Sequence, residues 1–310
     1  MKICLRILLM LMNMNTKTLI IILGPTAIGK TSISIKLAKH YNTQIISADS
    51  RQFYKELKIG AAPPSKKELS EVEHHFIHNL SVNEDYNVGK FEEDALRKIE
   101  ELFKEKEKII MVGGSGLYID AICKGFDKMP DISKEIRNRV ISLYKEKGIK
   151  FLQSELKEND PIYFNEVDIQ NPQRLMRAIE VIYSTSKPFS NFRKEQVKKR
   201  SFNIVKIGLD MNREDLYKRI NKRVDIMIEN GLLDEVGSLL NHRNKNSLQT
   251  VGYKELFEYL DGKYSQEEVI DMIKQNTRRF AKRQISWFKR DHKITYFSTN
   301  KTKEIIKFIG

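Results

Sequence analysis

The stretch TLIIILGPTAIGKTSISIKLAKH, residues 18–40, decides the fold. Its first part, Thr18–Leu23, is a continuous apolar run of strand length, typical of a parallel strand buried on both faces. The next part, GPTAIGKT at 24–31, has the spacing of the phosphate-binding P-loop and is followed by a predicted helix through about His40. Strand, glycine-rich loop and helix in this order predict a backbone cradle for phosphate groups at a helix N-terminus.

The residue types in this loop fit a diphosphate. Glycines let successive backbone N–H groups wrap phosphate oxygens, Lys30 adds a positive charge, and the Thr31 hydroxyl is a candidate ligand for Mg²⁺. The candidate diphosphate-binding residues are Gly24, Pro25, Thr26, Ala27, Ile28, Gly29, Lys30 and Thr31. The motif indicates diphosphate binding, but it does not by itself indicate hydrolysis.

Two further strand ends carry polar side chains. A strand predicted at 44–47 runs into Asp49, and another at 108–112 runs into a glycine-rich segment that contains Ser115. Alternating strands and helices predict an α/β fold with an open parallel sheet, whose ligands bind at the carboxyl ends of the strands. The second of these strands ends without the aspartate that a nucleotide hydrolase uses to position Mg²⁺. Asp49, in contrast, is a candidate general base.

The predicted elements divide the chain into a core and an insertion. We predict a P-loop NTPase-like parallel sheet flanked by helices, formed by residues 16–125 and 201–310, and an all-helical insertion at 126–200. In the second core segment we predict strands at 203–209 and 293–297 and helices at 213–230, 232–241 and 265–289. Ser265 and Glu268 fit a capping box at the start of the long helix.

The composition favours a polyanionic partner. The 310 residues include 55 Lys and Arg against 41 Asp and Glu, a formal net charge of +14. Nucleic acid fits this excess, with an anionic membrane surface or an ordinary basic protein as alternatives. Two cysteines without paired or metal-like spacing, Cys4 and Cys123, indicate a reducing cytoplasm. Residues 1–15 have an apolar run too short to span a bilayer and no small-residue cleavage site, so we expect a dispensable extension and a cytoplasmic protein.

Three other segments have both a functional and a structural interpretation. HHFIH at 74–78 has metal-like histidine spacing for a helix, but no third ligand accompanies it. RRFAKRQISWFKR at 278–290 mixes arginines with aromatics in a way that suits RNA, although we favour the hydrophobic core for Trp287 and Phe288. KPFSNFRKEQVKKR at 187–200 is either an RNA-binding edge or a solvated linker.

Six segments occur in an order that is specific to one enzyme family. They are GPTAIGKT at 24–31, ISADSRQFY at 46–54, VGGSGLYIDA at 112–121, NPQRLMRAIEV at 171–181, TVGYKEL at 250–256 and AKRQISWF at 281–288. Together they make the chain from Thr18 to Phe297 resemble the tRNA dimethylallyltransferases, also called tRNA isopentenyltransferases. No cysteine follows Cys123, so the resemblance is to the bacterial form without a C-terminal zinc finger.

This resemblance implies transfer of a dimethylallyl group from dimethylallyl diphosphate to N6 of adenosine 37 in tRNA, with Mg²⁺. It implies that Asp49 is the base, that Ser115 hydrogen-bonds near the bridging oxygen, and that Arg223 binds the diphosphate beside Lys30. It places tRNA contacts at Asp49, Ser50, Arg51, Gln52, Ser115, Arg137, Gln173, Arg174, Leu175, Met176, Arg177, Gln249, Thr250, Val251, Gly252, Tyr253 and Lys254. We expect the insertion to grip the anticodon arm, and we expect a monomer that does not bind membranes.

One segment departs from the family pattern, and three alternatives stay open. GAAPP at 60–64 stands where the family commonly has Gly-Thr-Ala-Lys-Pro, so Ala61 and Pro63 remove a hydroxyl and a cation. An adenylate isopentenyltransferase would act on free nucleotides, but the QNPQR block, the insertion and the charge favour tRNA. A small-molecule P-loop kinase would use Asp49 on an acceptor hydroxyl. A non-catalytic RNA-binding protein is disfavoured by intact Lys30, Thr31 and Asp49.

Overall fold

The computed structural model describes residues 16–127, 129–194 and 197–310. The predicted extension at 1–15, with Cys4, lies outside the described residues, as does Glu195 of the basic run. Within these limits no helix is long and apolar enough to cross a bilayer.

A parallel sheet forms the centre of the larger of two compact units. In the described part of the chain it has six strands in the order β3-β2-β4-β1-β5-β6. The strands are β1 Thr18–Leu23, β2 Ile45–Ser47, β3 His74–His75, β4 Lys108–Gly113, β5 Asn203–Asp210 and β6 Ile294–Ser298. The predicted α/β class with a parallel sheet is therefore confirmed. Because all strands run the same way, their carboxyl ends lie along one edge of the sheet.

The apolar run of β1 is buried on both faces of the sheet. Leu19 and Ile21 pack into one hydrophobic cluster, and Ile20 and Ile22 pack into a second cluster on the opposite face. All four side chains have no solvent-accessible area, and complete burial of a Leu or Ile side chain contributes about 1.5–3 kcal/mol. The strand that carries the P-loop is thus firmly held on both sides of the sheet.

Helices cover both faces of this sheet, and three more form the insertion. Their bounds are α1 Lys30–His40, α2 Lys66–Glu71, α3 Val88–Leu102, α4 Gly116–Lys124, α5 Lys134–Asn159, α6 Pro161–Glu166, α7 Pro172–Thr185, α8 Arg213–Glu229, α9 Leu232–Ser238, α10 Tyr253–Leu260, α11 Gln266–Phe288 and α12 Thr302–Ile309. Ser265 caps α11, and Glu268 completes the predicted capping box. In α3 the buried residues Phe91, Ala95 and Ile99 recur every four residues, which gives the helix an apolar stripe for packing.

The helical insertion forms the second compact unit, Lys124–Lys198, against predicted limits of 126 and 200. Its core includes Val140 and Leu152 from α5 and Leu175 from α7. Helix α5 is two helical segments that meet at Gly148, whose φ of 71° is available to glycine without a steric penalty.

The structure decides between the two interpretations of two segments. The histidines at 74–78 are not helical, because His74 begins strand β3 and Phe76 and His78 have positive φ angles of 63° and 49°. The segment therefore lacks the helical geometry that a metal-like i, i+4 histidine spacing requires. The core assignment of Phe288 is confirmed, whereas Trp287 is partly buried and packs against the core.

The tips of β2 and β4 approach so closely that residue 113 must lack a side chain. A Cβ at Gly113 would lie 2.4 Å from the Ala48 carbonyl oxygen, which is rigid backbone. We expect Gly113→Ala to lower the free energy of unfolding by about 1–3 kcal/mol, as measured by urea denaturation. The matched control is Gly237→Ala in α9, where nothing lies within 4 Å and alanine favours the helix. Equal stability of the two variants would contradict the tight packing of these tips.

Candidate active site

The P-loop connects β1 to α1 through a backbone that only some residues tolerate. Gly29 has a φ of 103°, and Ala27, which is not a glycine, has a φ of 63°. A non-glycine residue in this region costs of order 1–3 kcal/mol unless its surroundings hold it there. The Ala27 carbonyl accepts a hydrogen bond of 2.8 Å from Nε of Arg219, which is one such restraint.

Lys30 stands at the start of α1 with its ammonium turned into the loop. Its Nζ donates to the carbonyl oxygens of Gly24 at 3.0 Å and Pro25 at 2.8 Å. Burial lowers the pKa of Lys30 to about 8, and nearby Arg223 adds to this effect while Asp49 opposes it. Burial disfavours the charged form of Lys30, and a bound anion would stabilise that form.

Two arginines one turn apart on α8 face the P-loop. Nη1 of Arg223 donates to Oγ1 of Thr26 at 3.4 Å, and Arg219 holds the Ala27 carbonyl. The pKa of Arg223 is lowered, first by burial and then by repulsion from Arg219. The sequence interpretation named Arg223 and missed Arg219. The i, i+4 spacing in RINKR was the signal that could have revealed the second arginine.

Asp49 and Ser115 follow the adjacent strands β2 and β4. Hydrogen bonds connect the two loops that carry them. Oγ of Ser115 accepts the Ser50 backbone N–H at 3.1 Å and donates to Oγ of Ser50 at 3.3 Å. Oδ1 of Asp49 accepts the backbone N–H of Arg51 at 3.1 Å, which fixes the carboxylate against its own turn. Asp49 and Ser115 both line one cavity.

The cavity has a volume of about 600 Å³ and two kinds of wall. Its polar wall contains Thr26 and Arg223 from the cradle and Asp49 and Ser115 from the opposite loops. Its apolar wall comes from α8, α9 and α11 and contains Val224, Met227, Leu232, Ile273, Phe280 and Trp287. The structure thus brings a cationic cradle, a carboxylate and an apolar surface to one cavity.

Most of the predicted tRNA-contacting residues of the core unit line the same cavity. They are Ser50, Arg51, Gln249, Thr250, Val251, Gly252 and Lys254. Gln52 is occupied within the protein, because its Nε2 donates to the Ala62 carbonyl at 3.0 Å and its Oε1 accepts from Ser47 at 3.2 Å. Gln52 thereby holds the loop at 60–64, the GAAPP segment that departs from the family pattern.

Glu235 on α9 organises this loop, and sequence reasoning missed it. Its carboxylate accepts backbone N–H bonds from Lys58 and Ile59 at 2.8 Å and from Gly60 at 3.0 Å. It also accepts the Tyr253 hydroxyl at 2.6 Å. A lone glutamate on an amphipathic helix gives no sequence signal for such a role. The Tyr253 side chain is fully buried, so its predicted contact with tRNA is corrected to a packing role.

The helical unit, taken by itself, presents a second set of predicted residues. Arg137 and Arg177 share the buried carboxylate of Glu180, at 3.9 Å and 3.4 Å, and their side chains are 54% and 39% exposed. Gln173 and Arg174 are exposed at the start of α7. Leu175 and Met176 are buried in the core of this unit, so they too are corrected from side-chain contacts with tRNA to packing residues.

In the basic run at 187–200, both arginines bind partners within the protein. Arg200 has a side chain that is only 10% exposed, forms an ion pair of 3.0 Å with Glu92 and donates to the carbonyls of Ala121 and Ile122. Arg193 pairs with Glu166 at 2.6 Å. These two arginines are therefore held by partners within the protein.

Comparison with known proteins identifies the family. A family model described as IPP transferase matches residues 52–291. The chain belongs to this family. It is 51% identical to a tRNA dimethylallyltransferase of Christiangramia forsetii and 50% identical to one of Flavobacterium johnsoniae, in each case over 94% of this chain and 97% of the relative.

Two solved structures extend the likeness to the fold. A tRNA isopentenylpyrophosphate transferase from Bacillus halodurans superposes with a TM-score of 0.70 at 36% identity, over 94% of this chain and 95% of that one. A eukaryotic dimethylallyltransferase, described as acting on tRNA, superposes with a TM-score of 0.76 at 26% identity, over 94% of this chain and 79% of that one. The P-loop NTPase-like fold expected from the sequence is thereby confirmed.

The lowered pKa of Lys30 gives a test of the cradle. We expect the affinity for inorganic diphosphate to fall as the pH rises through about 8, because Lys30 loses its charge there. In Lys30→Arg the guanidinium stays charged, so the fall should be absent up to about pH 10. Titration calorimetry across this range measures both profiles. Parallel profiles would show that Lys30 does not hold the anion.

Proposed function

We propose that this protein transfers a dimethylallyl group from dimethylallyl diphosphate to N6 of adenosine 37 in tRNA, releasing diphosphate. The observation that carries the proposal is the arrangement of the cavity. Thr26 and Arg223 line one cavity together with the carboxylate of Asp49 and an apolar wall, and Lys30 and Arg219 bind the carbonyls of the adjoining P-loop. Such a cavity fits a small apolar group that is attached to a diphosphate and meets an acceptor beside a base.

The cradle acts on the leaving group. As the bond between C1 of the dimethylallyl group and the bridging oxygen breaks, negative charge grows on the diphosphate. Lys30 and Arg223 are already fixed, so they stabilise this charge without reorganising in the transition state. Arg219 acts through the backbone by holding the Ala27 carbonyl.

Asp49 acts on the acceptor. The N6 nitrogen forms its new bond to C1, and one N6 proton passes to the Asp49 carboxylate as the diphosphate departs. Ser115 is hydrogen-bonded to Ser50, the residue that follows this carboxylate, and we propose that its hydroxyl lies near the bridging oxygen when the donor is bound. The adenine edge is inaccessible in a stacked loop, and the base therefore enters the cavity extruded.

The residues at the cradle fit a Mg²⁺ ion that is carried by the substrate. Among the described residues no group of three or more His, Cys, Asp or Glu could hold a metal. Mg²⁺ commonly keeps several waters and takes other ligands from substrate phosphates, so few protein ligands are needed. The Thr31 hydroxyl, at the start of α1, would supply one ligand, and the ion would neutralise charge on the diphosphate.

The helical unit is proposed to bind the anticodon arm. Arg137, Arg174 and Arg177 expose guanidinium groups that suit phosphates, and Gln173 adds an exposed amide. In the core unit, we propose that the cavity-lining residues Gln249, Thr250, Val251, Gly252 and Lys254 contact the extruded nucleotide. One chain supplies every group used here, so we propose that the monomer is active.

A single assay separates this function from its alternatives. Labelled dimethylallyl diphosphate and labelled ATP are offered separately with unmodified tRNA, with AMP, or without acceptor. We expect label from dimethylallyl diphosphate in tRNA alone, at N6 of adenosine 37 after nuclease digestion. Transfer of phosphate from ATP would indicate a kinase, and prenylation of AMP alone would indicate the adenylate enzyme.

Asp49→Asn tests the base. The amide keeps the shape of the side chain but cannot take the proton, so we expect kcat to fall by about 10²–10⁴-fold while tRNA binding is retained. Ser115→Thr is the matched control on the neighbouring strand tip, because it keeps the hydroxyl and should keep most activity. Near-normal turnover of Asp49→Asn in the labelled-donor assay would refute the role of the carboxylate.

Arg177→Ala tests the proposed contact of the helical unit with tRNA phosphate. We expect tRNA to bind more weakly, and the slope of log affinity against log salt to become shallower by about one, because Arg177 would no longer neutralise a phosphate. Lys303→Ala, an exposed residue of α12 on the core unit, controls for removal of one positive charge. Fluorescence anisotropy at several salt concentrations measures the slopes. The same slope for both variants would exclude a phosphate contact at Arg177.

A further inference from the structure

Gln284 on α11 joins two of the loops that form the active site. The residue is only 7% exposed. Its Oε1 accepts the backbone N–H of Thr26 in the P-loop at 2.8 Å, and its Nε2 donates to the carbonyl oxygen of Gly114 at 2.9 Å. One side-chain amide thus bridges the tip of β1 to the tip of β4.

The space around this amide leaves little room for an alternative. A Cβ at Gly114 would lie 2.4 Å from Nε2 of Gln284, so residue 114 leaves the position that the amide fills. The bridge needs a donor and an acceptor on one neutral side chain of this length, and glutamine supplies both. Removal of the amide would leave a backbone N–H and a backbone C=O without this partner.

The bridge continues to the catalytic carboxylate. Gly114 precedes Ser115, whose hydroxyl binds both the N–H and the hydroxyl of Ser50, and Ser50 follows Asp49. The β1 and β4 strands are paired up to Leu23 and Gly113, where the ladder ends. Beyond that point Gln284 connects the P-loop to the loop of Ser115.

We propose that Gln284 is a positioning residue that sets the distance between the diphosphate cradle and the loop of Ser115 and Asp49. This role rests on the prenyl transfer proposed above. Transfer needs C1 of the donor, the leaving oxygen and the N6 acceptor in line, and a misplacement of about 1 Å can cost about 10²-fold in rate. Both polar atoms of the Gln284 side chain are hydrogen-bonded to the loops. Gln284 therefore affects the substrates through the positions of these loops.

Gln284→Met tests the proposal kinetically, because methionine keeps the length and volume of the side chain but removes both hydrogen bonds. We expect kcat to fall by about 10- to 100-fold with the KM for tRNA within about twofold of wild type. Gln266→Met, an exposed substitution at the start of the same helix, should keep wild-type kcat. A kcat of Gln284→Met within about twofold of wild type would overturn the proposal, and so would a rise in KM with unchanged kcat.

Hydrogen exchange measured by mass spectrometry provides a readout that does not depend on turnover. We expect faster exchange in peptides covering 24–31 and 113–116 for Gln284→Met. In Gln284→Glu the carboxylate still accepts from Thr26 but repels the Gly114 carbonyl, so only the 113–116 peptide should change. This second variant also serves if the first does not fold. Unchanged exchange in both loops would overturn the bridge.

The wild-type arm separates the two proposals. Absence of prenyl transfer by the wild-type protein would refute the function itself, whatever the variants do. Transfer by the wild type together with full activity of Gln284→Met would refute only the role of Gln284.

Discussion

The close approach of three parallel strand tips is the constraint on which this site depends. Strands β2, β4 and β1 are neighbours in the sheet, and each one delivers a different chemical group to the same edge. The approach leaves no room for a side chain at Gly113, whose Cβ would meet backbone of the β2 tip. Hydrogen bonds from Ser115 and Gln284 then join the loops beyond the strands. The hydrophobic clusters on the two faces of the sheet hold the strands that end in these tips.

The cradle concentrates positive charge, which destabilises the free protein. Lys30, Arg219 and Arg223 lie around one loop, and burial together with mutual repulsion lowers the pKa of Lys30 and of Arg223. Such repulsion is relieved when an anion binds, which makes the cradle selective for a highly charged group. In the free protein the carbonyls of Gly24 and Pro25 supply acceptors for the buried ammonium of Lys30.

Local patterns in the sequence predicted the parts of the structure that depend on local physics. The apolar run of β1, the P-loop spacing and the capping box of α11 each gave the observed element, because each is specified by neighbouring residues. The positions of Asp49 and Ser115 followed from the rule that parallel strands end at one edge. Arg219 and Glu235 were missed, since their partners are backbone groups far away in the chain. The histidines at 74–78 lie in and after a short edge strand with positive-φ residues, a backbone that their spacing alone does not distinguish from a helix.

The same tips also explain why a P-loop serves carbon transfer here. In a P-loop hydrolase or kinase the transferred phosphoryl group needs an electrostatic clamp on its oxygens, with a carboxylate that positions Mg²⁺ at a strand end. In this chain β4 ends at Gly113 and is followed by Gly114 and Ser115, whereas Asp49 follows β2 and lines the cavity. The apolar side chains of Val224, Met227 and Ile273 line the same cavity. The hydroxyl group that accepts a phosphate in a kinase would instead need polar partners. A diphosphate held there as a unit would be a leaving group, which agrees with the proposed cleavage of the bond between oxygen and carbon.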